Sequence, residues 1–176
     1  MDYTKIGNYL FLGESPKSLK DYEHMLDSFD LIIQFNHPDD TAEKTLIKHI
    51  GKQTSEDQNA YNAQDIMSEI DARGKANSIQ FFHGYIDDKV GRGATKQYGA
   101  AFDVYIKAKR IDPTTNVYVH CKSGVHRSSH FIIFMMMEIG FSYEESFMHI
   151  QKLRPLIEKR ESLKHQLLKY FGERDE

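Results

Sequence analysis

Val117-Tyr118-Val119-His120-Cys121-Lys122-Ser123-Gly124-Val125-His126-Arg127-Ser128-Ser129 decides how this chain is read. Val117-Tyr118-Val119 is a short β-branched and aromatic run that predicts a buried strand ending at His120-Cys121. Phe131-Ile132-Ile133-Phe134-Met135-Met136 follows at once and predicts a helix that is apolar nearly all round and therefore sits in the core. Between them lies a short polar loop containing Gly124. A strand passing through such a loop into a buried helix is half of a βαβ unit, in which the sheet is mostly parallel and covered by helices.

The same alternation continues outward from this stretch. Tyr9-Leu10-Phe11-Leu12 before Gly13 predicts a strand and turn. Ser15 and Pro16 are expected to cap and open a helix carried by Leu19, Tyr22 and Leu26. Leu31 to Phe35 reads as a second buried strand and Ile79 to Ile86 as a third. Asp87 to Gly93 reads as a loop, with Gly91 and Gly93 to let it flex. Tyr98, Phe102, Tyr105 and Ile106 recur at helical spacing. Gly140 stops the helix after the loop. Ser142 and Glu145 form a capping box for a helix through Leu153. Leu163, Leu167, Leu168 and Phe171 mark a last helix. The expected fold is α/β, with a central, mostly parallel sheet of about four to five strands flanked by helices. Residues 37–77 are polar, with candidate helices at Ala42–Ile50 and Ala60–Ile70, and read as an insert.

Bulk properties exclude several classes. The 176 residues suit one domain, 1–176, with a substantial core. A formal net charge of −3 advertises neither nucleic acid nor an anionic membrane. The longest apolar run, Phe131 to Met137, falls well short of the ~20 residues a bilayer span needs. No stretch reads as a secretory signal. One cysteine, Cys121, allows no internal disulfide, and a reducing, cytoplasmic setting is expected, with a nuclear pool as a further option.

The loop after the strand has the chemistry of an oxyanion site. A thiol becomes a strong nucleophile on ionising, and a helix N-terminus offers unpaired N–H groups and partial positive charge that favour the anion. Residues Lys122, Ser123, Gly124, Val125 and His126 can curl so that their N–H groups point inward as a nest. Arg127 adds a planar fork for two oxygens. Ser128 carries a hydroxyl able to stabilise the sulfur as it departs. His120 is expected to brace the loop, and Lys122 and His126 to extend toward solvent at its mouth. His126 and His130 stand four apart, but no carboxylate nearby completes a metal site and Arg127 repels cations, so neither metal nor cofactor is expected.

His120-Cys121 through Arg127-Ser128 resembles the HCxxGxxR-Ser/Thr signature of the protein tyrosine phosphatase superfamily. It is most similar to the dual-specificity branch, whose slingshot phosphatases also carry Lys after Cys and Gly-Val at the equivalents of Gly124-Val125. Tyr9 to Gly13, Leu31 to Asn36, Leu153-Arg154-Pro155, and Gln166-Leu167 with Tyr170 resemble further parts of that branch. The resemblance implies a two-step hydrolysis of phosphate esters on phosphorylated proteins. Cys121 is then the nucleophile, Arg127 and the loop amides hold the phosphoryl group, and no metal takes part. It also implies a general acid just after a strand upstream of the cysteine. Asp88, at the end of Tyr85-Ile86, fits that place better than Asp87. With no tryptophan, the chain lacks the Trp-Pro-Asp loop of the tyrosine-specific branch, which implies a shallower pocket open to phosphoserine and phosphothreonine too. Three alternatives stay open on the same scaffold: a phosphoinositide phosphatase, an RNA 5′-phosphatase, and a phosphoprotein-binding module without catalysis. The oligomeric state is not legible.

Overall fold

The computed structural model describes residues 1–37 and 79–172, together with Ser68 and Ala72. The candidate helices and connections expected within 37–77 fall outside the described residues apart from His37, Ser68 and Ala72.

Five strands make one sheet: β1 (Tyr3–Gly7), β2 (Leu10–Glu14), β3 (Leu31–Gln34), β4 (Gln80–His83) and β5 (Val117–Cys121), in the order β1-β2-β5-β3-β4. β1 pairs with β2 antiparallel and every other pairing is parallel. Five described helices surround it: α1 (Leu19–Ser28), α2 (Ala94–Ile111), α3 (Arg127–Glu138), α4 (Tyr143–Leu153) and α5 (Glu161–Phe171).

Successive strand side chains point to opposite faces, and the two faces have different partners. Leu12, Leu31, Ile33, Val117 and Val119 face one way, onto a core completed by residues of α2 to α5 such as Tyr98, Phe131, Phe134, Phe147 and Leu167. Ile32 and Tyr118 face the other way and pack with Tyr22, Met25, Leu26 and Phe29, from α1 and its C-terminal cap. Burial on both faces explains why β3 and β5 read as continuous apolar runs. Within α3 every residue except Met136 and Glu138 is buried, as its all-round apolarity predicts.

Local signals were followed closely except at the N-terminus. Ser142 and Glu145 form the reciprocal capping box. Ser15 does not cap α1. Ser18 does, its side chain accepting from the Asp21 N–H, so Pro16 lies before the helix rather than in its first turn. Ser15 is buried against the end of β5 instead. β1, unmarked by any apolar alternation, is an edge strand attached through β2. Among the described residues no helix is long and apolar enough to cross a membrane.

Candidate active site

Cys121 is the last residue of the central strand β5, and α3 begins six residues later at Arg127. Ligands of parallel α/β sheets bind beyond the C-terminal ends of the strands, which is where this junction lies.

The conformation of the loop follows from where its carbonyls go. Buried backbone groups must be paired, so the partners of the C=O groups tell which way the peptides face. Cys121 O accepts from Ser15 Oγ at 2.9 Å and Lys122 O from the Ser15 N–H at 3.2 Å. Ser123 O and Gly124 O accept from the guanidinium of Arg154 at 3.4 and 3.0 Å. Val125 O takes the Glu158 N–H at 3.3 Å and the Ser129 hydroxyl at 2.8 Å. Consecutive carbonyls are thus drawn outward by three surrounding segments, which turns the N–H groups toward the centre. At Gly124 the chain takes φ +68°, and a Cβ there would stand 2.4 Å from Gly13 O. The glycine is required both by its backbone angle and by the close approach of β2.

Cys121 is buried at the floor of this ring. Its sulfur lies 3.1 Å from Ser128 Oγ. Burial alone would push the thiol up. The positive charge of Arg127, the Ser128 hydroxyl and the N–H groups of Ser128 and Gly124 outweigh it and hold the thiol below its ordinary value. His126 occupies the N-cap position of α3, yet its side chain caps nothing, so the first turn presents its amides to the loop.

Arg127 is buried, and its position is over-determined. Nη1 donates to Ile86 O at 3.3 Å, and its own carbonyl accepts from the Tyr98 hydroxyl at 2.7 Å. Nε is buried and has no acceptor among the described residues. An unmatched buried guanidinium N–H is costly unless an anion accepts from it. A phosphoryl oxygen meets that need.

Beneath the ring, His120 sits in a buried polar network. Burial drives it down to about 4, so the ring is neutral near pH 7. Its Nδ1 lies 3.2 Å from Ser15 Oγ and 3.3 Å from Cys121 O. A carbonyl only accepts, which assigns the ring hydrogen to Nδ1. Ser15 Oγ donates to Cys121 O and accepts from Asn36 Nδ2 at 2.9 Å. These contacts tie the His120 ring to Ser15 and to the carbonyl of Cys121.

The two aspartates after β4 are placed differently. Asp87 is exposed, and its Oδ1 accepts the Lys89 N–H at 3.0 Å, a local loop cap. Asp88 is half-buried and turned toward the phosphate loop, its Oδ2 3.6 Å from His126 Nδ1. The buried Tyr98 hydroxyl feels the charges of Cys121, Arg127 and Asp88 together. Lys122 is exposed, as expected, but His126 is not turned to solvent: its ring is held between the carboxylates of Asp88 and Glu158. His130 faces His126 O and the Tyr143 hydroxyl with its two ring nitrogens, which leaves neither for a metal. Among the described residues no group of three His, Cys, Asp or Glu is arranged to hold a metal ion.

The amino-acid pattern leads to Cys121, Gly124, Arg127 and Ser128, but the roles of Ser15, Tyr98, Arg154 and Glu158 are visible only in three dimensions. Arg154 is 1% exposed. Arginine is read by default as a surface residue, so only the Leu153-Arg154-Pro155 string hinted at it.

A family model described as dual specificity phosphatase, catalytic domain, matches residues 10–173. The chain belongs to this family. A 59-residue stretch is 37% identical to Protein phosphatase Slingshot homolog 3 of Mus musculus, and equally to its counterpart in Rattus norvegicus. That stretch is 33% of this chain and 9% of either relative, so the chain spans a small part of those proteins. PTPMT1 in complex with PI(5)P superposes with a TM-score of 0.69 at 18% identity, covering 98% of this chain and 96% of that one. Tk-PTP in its active form gives 0.64 at 16% identity, with 98% and 97% covered. Human DUSP28 gives 0.62 at 16% identity, with 96% and 94% covered. At these identities the likeness establishes the fold, the mostly parallel α/β fold expected from the sequence. The chain thus belongs to a phosphatase family and keeps the Cys121 thiol and the Arg127 guanidinium together at the end of its central strand.

Proposed function

We propose that this chain, as a single catalytic domain, hydrolyses phosphate monoesters on phosphoproteins through a phosphocysteine intermediate. Phosphotyrosine, phosphoserine and phosphothreonine all fall within its reach. The observation that carries this reading is the Cys121 sulfur seated in a ring of inward amides, beside Ser128 Oγ at 3.1 Å and under the charge of Arg127.

The steps follow from the residues present. The Cys121 thiolate attacks phosphorus, the S–P bond forms, and the bond from phosphorus to the ester oxygen breaks. Asp88 gives its proton to the departing alkoxide. The phosphoryl oxygens lie among the loop N–H groups and the Arg127 Nε, which need not reorganise as charge develops. Water then attacks phosphorus and passes a proton to the Asp88 carboxylate. The S–P bond breaks, and Ser128 stabilises the thiolate that leaves. Asp88 is favoured over Asp87 because Asp87 spends its side chain on the Lys89 N–H and is exposed. The lack of tryptophan supports a pocket without the tyrosine-specific loop.

The deciding test is hydrolysis of p-nitrophenyl phosphate together with a panel of phosphotyrosyl, phosphoseryl and phosphothreonyl peptides, phosphoinositides and 5′-phosphorylated RNA. Cys121→Ser is expected to lose at least about 10³-fold in turnover. Asp88→Asn is expected to lose about 10²-fold and Asp87→Asn far less. Equal rates for wild type and Cys121→Ser would remove the cysteine mechanism. Faster release from lipids or RNA than from every peptide would replace the protein substrate.

A further inference from the structure

His126 joins three segments. Its ring lies between two carboxylates, with Nε2 3.4 Å from Glu158 Oε2 and Nδ1 3.6 Å from Asp88 Oδ2. Glu158 belongs to the connection between α4 and α5 and is tied to the phosphate loop by its own N–H on Val125 O at 3.3 Å. Asp88 is held by its backbone from the end of that connection and the start of α5: its carbonyl accepts from Arg160 Nε at 3.1 Å and from Ser162 Oγ. Arg160 Nε also stands 4.0 Å from Asp88 Oδ2. Behind this contact Gly91 takes φ +70° and passes so close to Ser162 that a Cβ would meet its carbonyl at 2.7 Å. The acid loop is therefore docked through its main chain, and the direction of its carboxyl is left to side chains.

A carboxylate only accepts hydrogen bonds, so contact with Glu158 puts a hydrogen on His126 Nε2 and turns Nδ1 to Asp88. We propose that His126 is a positioning residue for the acid: Glu158 fixes the ring, and its Nδ1 side, 3.6 Å from Oδ2, orients the Asp88 carboxyl toward the phosphate loop. The inference rests on Asp88 being the general acid. It asks no co-reactant, because the proton given to the alcohol in the first step is regained from the attacking water in the second. The logic is that of an orienting carboxylate, an imidazole and a reacting group in line, with the reacting group here an acid.

Leaving-group dependence separates this role from mere support of the loop. A good leaving group departs without protonation, and a poor one needs the acid. The kcat/KM of His126→Ala on phenyl phosphate is expected to fall about tenfold further than on 2,4-dinitrophenyl phosphate, since an acid out of place forfeits part of its contribution. His126→Asn, whose amide stands near the position of Nδ1, recovers part of that gap. Glu158→Gln, outside the phosphate loop, shifts the ratio in the same direction by roughly threefold, the weaker effect of a group acting through another. In an Asp88→Asn background, His126→Ala adds no further leaving-group dependence. Equal losses on both esters, or effects of His126→Ala and Asp88→Asn that multiply, overturn the proposal while leaving Asp88 as acid. If Asp88→Asn itself shows no leaving-group dependence, the acid assignment fails and this proposal falls with it.

Discussion

Arg154 Nε donates to the carbonyl oxygen of Gly124 across 3.0 Å, thirty residues back along the chain, while its other nitrogens reach Ser123 O, Thr4 Oγ1 and Asp2 Oδ2. A buried guanidinium therefore connects the phosphate loop to β1 and the residue before it. By drawing two loop carbonyls outward it turns the neighbouring amides in. The anion cradle is thus formed as much from behind as from within.

Replacing Arg154 by Met leaves two loop carbonyls without their donor, at about 1–3 kcal/mol each. The Asp2 carboxylate is more than half exposed and adds little. Arg154→Met is expected to lower stability by roughly 3 kcal/mol and to weaken inhibition by inorganic phosphate about tenfold. Urea titration and a phosphate inhibition constant check both. A stability loss with unchanged phosphate inhibition would mean that the cradle keeps its shape without Arg154.

Gly124→Ala combines a backbone angle foreign to alanine with a Cβ only 2.4 Å from Gly13 O, so β2 or the loop must move. A loss of at least about 2 kcal/mol is expected, with turnover nearly abolished. Gly93→Ala is the control, because φ is +76° there and a Cβ meets nothing within 4 Å. It should show the backbone strain alone, about 1 kcal/mol, with turnover kept.

Ser128→Ala removes a hydrogen bond that holds the Cys121 thiol below its ordinary value. The alkylation rate of Cys121 by iodoacetamide should therefore rise at a higher pH in the variant than in wild type. Hydrogen bonds to charged groups are worth about 1.5–3 kcal/mol, so turnover should fall roughly ten- to a hundredfold where thiolate departure limits it. The sign for stability follows. A thiol lowered in the fold adds stability above its unfolded value, and that stability is lost as pH falls through the lowered value. Ser128→Ala should flatten this part of a stability–pH curve.

His120 and His130 are both driven by burial to about 4, against 6.5 in the unfolded chain. Below pH 6.5 the unfolded chain binds protons that the folded one refuses, so stability falls between pH 6.5 and about 4 and levels off below. Each histidine contributes on the order of 3 kcal/mol to that loss. His130 donates from Nδ1 to His126 O at 2.7 Å and accepts the Tyr143 hydroxyl on Nε2 at 2.8 Å. His130→Asn keeps the first bond and removes the titration, so the acid slope between pH 7 and pH 4.5 should become shallower. Urea unfolding at three pH values measures it.

The strands β2 to β5 and the five described helices were legible because their apolar runs and periodicity survive in one dimension. β1 was not, since an edge strand buries little and carries no alternation. Ser15 was misread because Ser before Pro is a good local signal for a helix start, and tertiary demand prevailed: Cys121 O and Asn36 needed that hydroxyl more than α1, which had Ser18. His126 was expected in solvent because basic residues are commonplace at protein surfaces. Asp88 and Glu158 come to it from opposite sides of the sequence.

The amino-acid order alone pointed to Cys121, to Arg127 and to the fold class. These depend on local spacing: a buried strand, a loop of fixed length with glycine in it, and a helix whose first residue is arginine. Only the tertiary structure decided which carboxylate faces the loop, which arginine supports it and which serine braces it. Those choices depend on which distant backbone groups are left needing a partner once the sheet and helices have closed around them, and a partner can come from anywhere in the chain.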